Sequence, residues 1–198
     1  MKRLLISASI AASVIMPAAA QAQAIPAAVI AVVDLEKVTR DCTACKAART
    51  ALQGQINGLQ TRQQALAGPL ETEGKAIQAA VDALNGKEPD AALKTRAQSW
   101  ESKRQQAAQE IASRQQQVQA NNQFVQKQIS DKLGPIYTQV MQRRGANMMV
   151  EIGQTLASGQ TLDVTNDILT ALNTALPSVQ TTAPAAAAKP AQTQPQGR

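Results

Sequence analysis

Apolar positions along the chain first cluster, then repeat at helical spacing, then cluster again. Ala27-Ala28-Val29-Ile30-Ala31-Val32-Val33-Asp34 is rich in β-branched residues and bounded by Pro26 and Asp34, which predicts a buried strand. Leu35 to Arg40 reads as a short helical or turn connection. From Ala44 the period changes. Leu52, Ile56, Leu59, Gln63, Leu66, Leu70, Glu73, Ile77, Ala80 and Leu84 alternate in steps of four and three. Such an a/d repeat specifies a helix wound on another helix. Asn85-Gly86-Lys87-Glu88-Pro89-Asp90 is a strong turn signal, with Asp90 placed to cap the next helix. The hairpin tip is therefore set at Asn85, Gly86 and Pro89. A return helix is predicted from Ala91 to about Arg143. Its stripe is Leu93, Ala97, Trp100, Arg104, Ala107, Ile111, Arg114 and Val118, then Asn122, Val125, Ile129, Leu133, Ile136 and Val140. The consecutive steps of four around Val125 and Ile129 mark a stutter. Gly68-Pro69 and Gly134-Pro135 are candidate hinges, because proline removes a helical hydrogen bond and crowds the preceding turn.

After Arg143-Arg144-Gly145, the run Ala146-Asn147-Met148-Met149-Val150-Glu151-Ile152 predicts a second strand. A loop over Gly153 to Thr161 follows, then a last helix from Asn166 to Leu176 with Thr165 as its N-cap and Asp167 near its positive end. A closed hairpin brings its two ends together, so the flanking strands can pair. The fold class expected is α+β, mostly α: a small strand-bearing body carrying a long antiparallel helical hairpin. The organisation is 25–43 body, 44–143 hairpin arm and 144–176 body. An arm of about 40 residues would project on the order of 60 Å at 1.5 Å per residue.

The ends add a compartment and a tail. Lys2 and Arg3 precede an apolar run from Leu4 to Met16, followed by small residues that fit cleavage near residues 20–24. That order is a secretory signal peptide over 1–24, and the run is short against the roughly 20 residues that span a bilayer. From Pro177 to Arg198 the chain is Ala, Pro, Gln and Thr with little large apolar surface. It reads as a disordered tail, because it cannot bury enough area to offset ordering entropy.

Composition narrows the function classes. Trp100, Phe124 and Tyr137 are the only aromatics, which favours long helices over a conventional globular core. There is no His, which excludes His-based acid–base chemistry, His triads and His metal sites. Setting aside residues 1–24 leaves 18 basic against 14 acidic residues, a net charge of +4. Without a basic stripe interleaved with aromatics, this charge suits weak contact with acidic chains or anionic lipid head groups rather than nucleic acid. Cys42-Thr43-Ala44-Cys45 is a C-x-x-C motif that follows a strand and opens a helix. In an oxidising compartment it suits a disulfide, within or between chains. A thioredoxin-like redox role is disfavoured because the repeated βαβ pattern is missing. Haem attachment would need His at 46, where Lys stands.

The layout resembles the Skp/OmpH family of periplasmic chaperones. The resemblance rests on the signal peptide, the strand Val29–Asp34, the long hairpin, the strand Asn147-Met148-Met149-Val150-Glu151, and Leu162-Asp163-Val164-Thr165-Asn166-Asp167-Ile168-Leu169 entering the final helix. It implies a periplasmic homotrimer with three hairpins around a cavity, which holds unfolded outer-membrane β-barrel proteins without ATP. It implies no catalytic residue, cofactor or metal. The chain departs from the best-known members in its lower positive charge, its Ala/Pro/Gln tail, and Cys42 and Cys45. Two other readings compete: a structural coiled-coil spacer or adaptor of the envelope, and, further behind, a thiol–disulfide enzyme.

Overall fold

The computed structural model describes residues 26–184. The expected signal peptide and the far end of the tail lie outside the described residues. The architecture is α+β and mostly helical. Strand β1 (Ile30–Val33) leads through α1 (Leu35–Asp41) into the outgoing helix α2 (Thr43–Asp82). The return helix α3 (Ala91–Arg144) delivers β2 (Met148–Glu151). Single 3₁₀ turns at Ile152–Gln154 and Gln160–Leu162 lead to α4 (Thr165–Ala175).

The two strands pair in parallel, with Ile30 opposite Met148 and Val33 opposite Glu151. Parallel pairing follows from α1. This short helix carries the chain off the end of β1 before the arm begins, so the arm returns the chain beside the start of β1. Asn147 fixes that junction. Its side chain accepts from Val29 N–H at 2.7 Å and donates to the Ala27 carbonyl at 2.8 Å, while its own N–H donates to the Val29 carbonyl at 2.9 Å. Gly145, at φ 68°, ends α3 in the left-handed conformation that glycine adopts without penalty. On its other side β1 meets the segment before α4: Val32 bridges to Asp163, and Val164 N–H donates to the Val32 carbonyl at 2.9 Å. β1 is thus the middle of three extended segments.

The core lies under this sheet. Val38 of α1, Val140 of α3, and Ile168 and Leu172 of α4 are fully buried. They pack with Val33, Leu133, Ile136 and Leu176. Ile168, Leu172 and Leu176 follow the four-residue step that puts side chains on one helix face. The basal turns of the arm helices belong to this body, since Ala44, Cys45 and Leu133 are in the same cluster.

Three details differ from the sequence reading. Thr165 is not the N-cap of α4. It is the first helical residue and 2% exposed, and its hydroxyl accepts from Asp34 N–H at 2.9 Å, which ties α4 to the end of β1. Asp163 takes the local role instead, accepting from Thr165 N–H at 2.8 Å. In the arm, Asn121 rather than Asn122 faces the seam: Asn121 is 4% exposed and Asn122 is exposed. The stutter is the cause, since Val118–Asn121–Val125 runs three then four where the four–three reading placed Asn122. Finally, the tail is ordered at its start. Residues 177–184 run back along the hairpin and are held by its side chains. Hydrogen bonds to their backbone make up for the missing apolar area.

Candidate functional site

The arm is the dominant surface, and its seam changes character along its length. At the base, Ala48, Leu52 and Val125 form a small buried cluster. From Gln53 to Ala120 no side chain is buried among the described residues; the heptad positions Ile56, Leu59, Leu66, Leu70, Ile77 and Leu84 are half-buried. Ion pairs and one indole close the distal seam. The Arg62 guanidinium donates to both carboxylate oxygens of Glu110 at 2.8 and 2.9 Å, and Arg114 donates to the same carboxylate at 2.8 Å. Arg96 makes the same two-pronged contact with Glu73, at 2.7 and 2.8 Å.

Trp100 packs across the seam. Its Nε1 donates to the Leu70 carbonyl at 2.8 Å, and its ring lies against Gly74, where an added Cβ would sit 3.1 Å from Cζ2. Arg104 lies over the indole, 5.6 Å from its centroid. At the tip, Asn85 and Gly86 both have positive φ, 47° and 85°, and Asp90 accepts from Leu93 N–H at 2.8 Å. Helix α2 runs on through Gly68-Pro69, and α3 through Gly134-Pro135. The second pair sits between Leu133 and Ile136, which are buried in the body. Gly68-Pro69 lies in the weakly packed part of the arm.

The Glu110 carboxyl is held down from 4.5 to about 2, first by its hydrogen bond from Arg62 and then by that from Arg114. The Arg96 guanidinium beside Glu73 lowers that group as well. A depressed acid stabilises the fold above its unfolded pKa, and the contribution fades as pH falls through the folded value. Arm amides are therefore expected to lose hydrogen-exchange protection, corrected for intrinsic rate, between about pH 4.5 and 2. Protection around Arg62 and Glu110 that stays flat over this window would show that the ion pairs do not hold the seam.

Cys42 and Cys45 are joined by a disulfide within the chain, with their Cα atoms 5.1 Å apart. Cys42 ends α1 and caps α2, its Sγ accepting from Cys45 N–H at 3.2 Å. Asn173 of α4 completes the corner by accepting from Thr43 N–H at 2.9 Å. Cys42 is fully buried and Cys45 is 5% exposed. Exchange needs a disulfide sulfur that an incoming thiolate can reach, so this buried geometry suits a corner brace.

The ordered start of the tail was missed by sequence reasoning. Val179, Thr181 and Ala183 are half-buried while Gln180, Thr182 and Pro184 are exposed, the two-residue alternation of an extended strand. Gln128 donates to the Gln180 carbonyl at 2.8 Å and accepts from Gln180 N–H at 3.0 Å. Gln55 donates to the Thr181 carbonyl at 3.0 Å, and Asn121 accepts from Ala183 N–H at 2.8 Å.

The body carries a separate apolar face. Val29, Ile30, Met148, Ile152, Leu156 and Leu162 are exposed on the strands and the loop beyond β2. Among the described residues there is no cluster of acidic or cysteine side chains fit to hold a metal ion, and no helix is long and apolar enough to cross a membrane.

A search of the curated proteins gives no match. Among solved structures, the chain is similar to a protein from Caulobacter crescentus CB15 described as a candidate outer membrane chaperone (OmpH-like). The two are 17% identical with a TM-score of 0.64, over 79% of this chain and 90% of that one, which establishes a shared fold. The family model described as outer membrane protein (OmpH-like) matches residues 29–172, from the start of β1 into α4. With both strands, the hairpin and most of the closing helix inside that span, this chain belongs to the OmpH-like family.

Proposed function

We propose that this protein is an ATP-independent, non-enzymatic holdase of the periplasm, exported by a signal peptide cleaved near residues 20–24, that keeps unfolded outer-membrane β-barrel proteins from aggregating. The observation that carries the reading is the arm: two long helices with no buried side chain between Gln53 and Ala120. A holdase needs many weak contacts, adjustable reach and no deep specific pocket. A seam of half-buried apolar residues and exposed ion pairs supplies weak contacts. The Gly68-Pro69 step supplies a point of bending, because Pro69 cannot donate to the Ala65 carbonyl. Membership of the OmpH-like family supports a chaperone role. So does the description of the Caulobacter crescentus protein that shares the fold.

The reading includes a homotrimer. A body whose Val29, Ile30, Met148 and Leu156 face solvent exposes apolar area that monomers usually cover. Three arms around one body would make weak client contacts additive through effective concentration. The net positive charge adds weak attraction to acidic clients and anionic lipid.

The test is to dilute a urea-unfolded outer-membrane β-barrel protein into buffer with the chain lacking residues 1–24. Light scattering is expected to fall to near baseline, with a soluble complex of one client per trimer. Unchanged aggregation at both low and moderate salt would overturn the reading. A stoichiometric complex with a folded partner would then point to an envelope spacer.

A further inference from the structure

The docked tail shows how the base of the arm grips a peptide. Every polar contact described above between the hairpin and residues 180–183 goes to a backbone atom. Gln128 pairs with both the N–H and the C=O of Gln180, as a neighbouring strand would. Gln55 takes the Thr181 carbonyl and Asn121 takes the Ala183 N–H. The three amides are set by the hairpin itself. Asn121 is buried, donates to Gln55 Oε1 at 2.8 Å, and accepts from Gln117 at 2.8 Å. Only the inward positions of the peptide are read by shape: Val179 packs on the Leu52–Val125 cluster, and Thr181 and Ala183 are half-buried.

The groove is also open alongside the tail. Thr182 lies at one side of an open concavity of about 410 Å³ lined by Gly58, Leu59, Val118 and Asn121. A Cβ added at Gly58 would meet no atom within 4 Å. Beside the described tail the groove is therefore open toward Gly58 and Leu59.

We propose that this seam groove is a backbone-reading site for an extended segment of an unfolded client, and that residues 179–183 occupy it in the free protein as a built-in competitor. The chemistry it selects is a strand-like segment with small or β-branched residues at alternate positions and no fixed side-chain hydrogen bond. Unfolded β-barrel strands have that character, with period-two alternation along each segment. The inference deepens the holdase reading and rests on it for the identity of the client. The groove itself can be tested without any aggregation assay.

The test uses the full chain lacking residues 1–24. Gln180→Pro removes the N–H that Gln128 holds and releases the tail while leaving every groove residue in place. The probe is a fluorescent peptide of residues 177–184, read by anisotropy. If the tail fills the groove nine-tenths of the time, releasing it should tighten probe binding about tenfold, since apparent affinity scales with the open fraction. A synthetic peptide from an outer-membrane β-strand should displace the probe. Adding Gln128→Leu to the released chain should abolish probe binding while leaving the thermal melt unchanged. Equal probe affinity for wild type and Gln180→Pro would overturn the competitor role. Failure of the strand peptide to displace a bound probe would overturn the client site. If instead the peptides bind as expected and clients still aggregate, the groove stands and it is the holdase reading that fails.

Discussion

Leu172→Ala is expected to lower the unfolding free energy of the body by about 2–5 kcal/mol, the range for deleting a fully buried leucine. Leu172 is 0% exposed and sits where three elements converge, with Val38 of α1, Val140 of α3 and Ile168 of its own helix also fully buried. The cluster is small, so little surrounding mass can relax into the space left behind, and the cost should lie in the upper half of the range. The measurement is urea unfolding followed by far-UV circular dichroism at fixed protein concentration, because self-association would shift the midpoint by mass action. A shift worth under about 1 kcal/mol would mean that α4 is peripheral to the core. The arm is anchored in the same cluster through Ala44, Leu133 and Ile136, so the variant should also loosen the base of the arm.

Trp100→Ala should act in a different place. The indole covers Gly74 and satisfies the Leu70 carbonyl from the opposite helix, in a stretch with few other apolar contacts. Full burial of a tryptophan would make truncation cost about 3–5 kcal/mol. Trp100 is only half-buried, so a local cost of about 1–3 kcal/mol is expected. Amides from about Leu66 to Arg104 should then exchange roughly ten- to a hundredfold faster, one decade for each 1.4 kcal/mol. Exchange at Val38, Val140 and Ile168 should not change. Equal acceleration in arm and body would show that the molecule opens as one cooperative unit.

Much of this architecture was legible from spacing. The four–three repeat placed both arm helices, and Asn85-Gly86 with Asp90 placed the tip, because these signals are local and tied to backbone geometry. A β-branched run placed β1, and the short apolar run Met148-Met149-Val150 after Gly145 placed β2. Their parallel register was not legible, since it depends on how α1 redirects the chain. Nor was the contact of Val32 with Asp163 and Val164, a pairing between remote segments that leaves no periodic trace. Thr165 looked like an N-cap because threonine before a helix usually is one; here a strand end competes for the hydroxyl and takes it. The peptide groove was hidden for a chemical reason. Gln55, Asn121 and Gln128 belong to no motif that sets them apart in a Gln-rich helix, and a site that binds backbone needs no distinctive side chain on the bound segment.

The three extended segments have a kinetic consequence. Val29 meets Asn147 across 118 positions of sequence, and Asp34 meets Thr165 across 131. Closing a structureless loop of that size must be paid for in chain entropy before either contact returns anything. The two helices avoid most of that cost. Helix growth is fast and local, and zipping α2 against α3 from Asn85-Gly86 converts a long loop into a stiff rod whose free ends already lie side by side. The order of events should therefore run from the tip toward the sheet, with the most weakly packed region of the native molecule acting as the template for its best-packed one. Substitutions that delay the turn at Asn85-Gly86 would slow the assembly of β1 with β2 without touching a single atom of either strand.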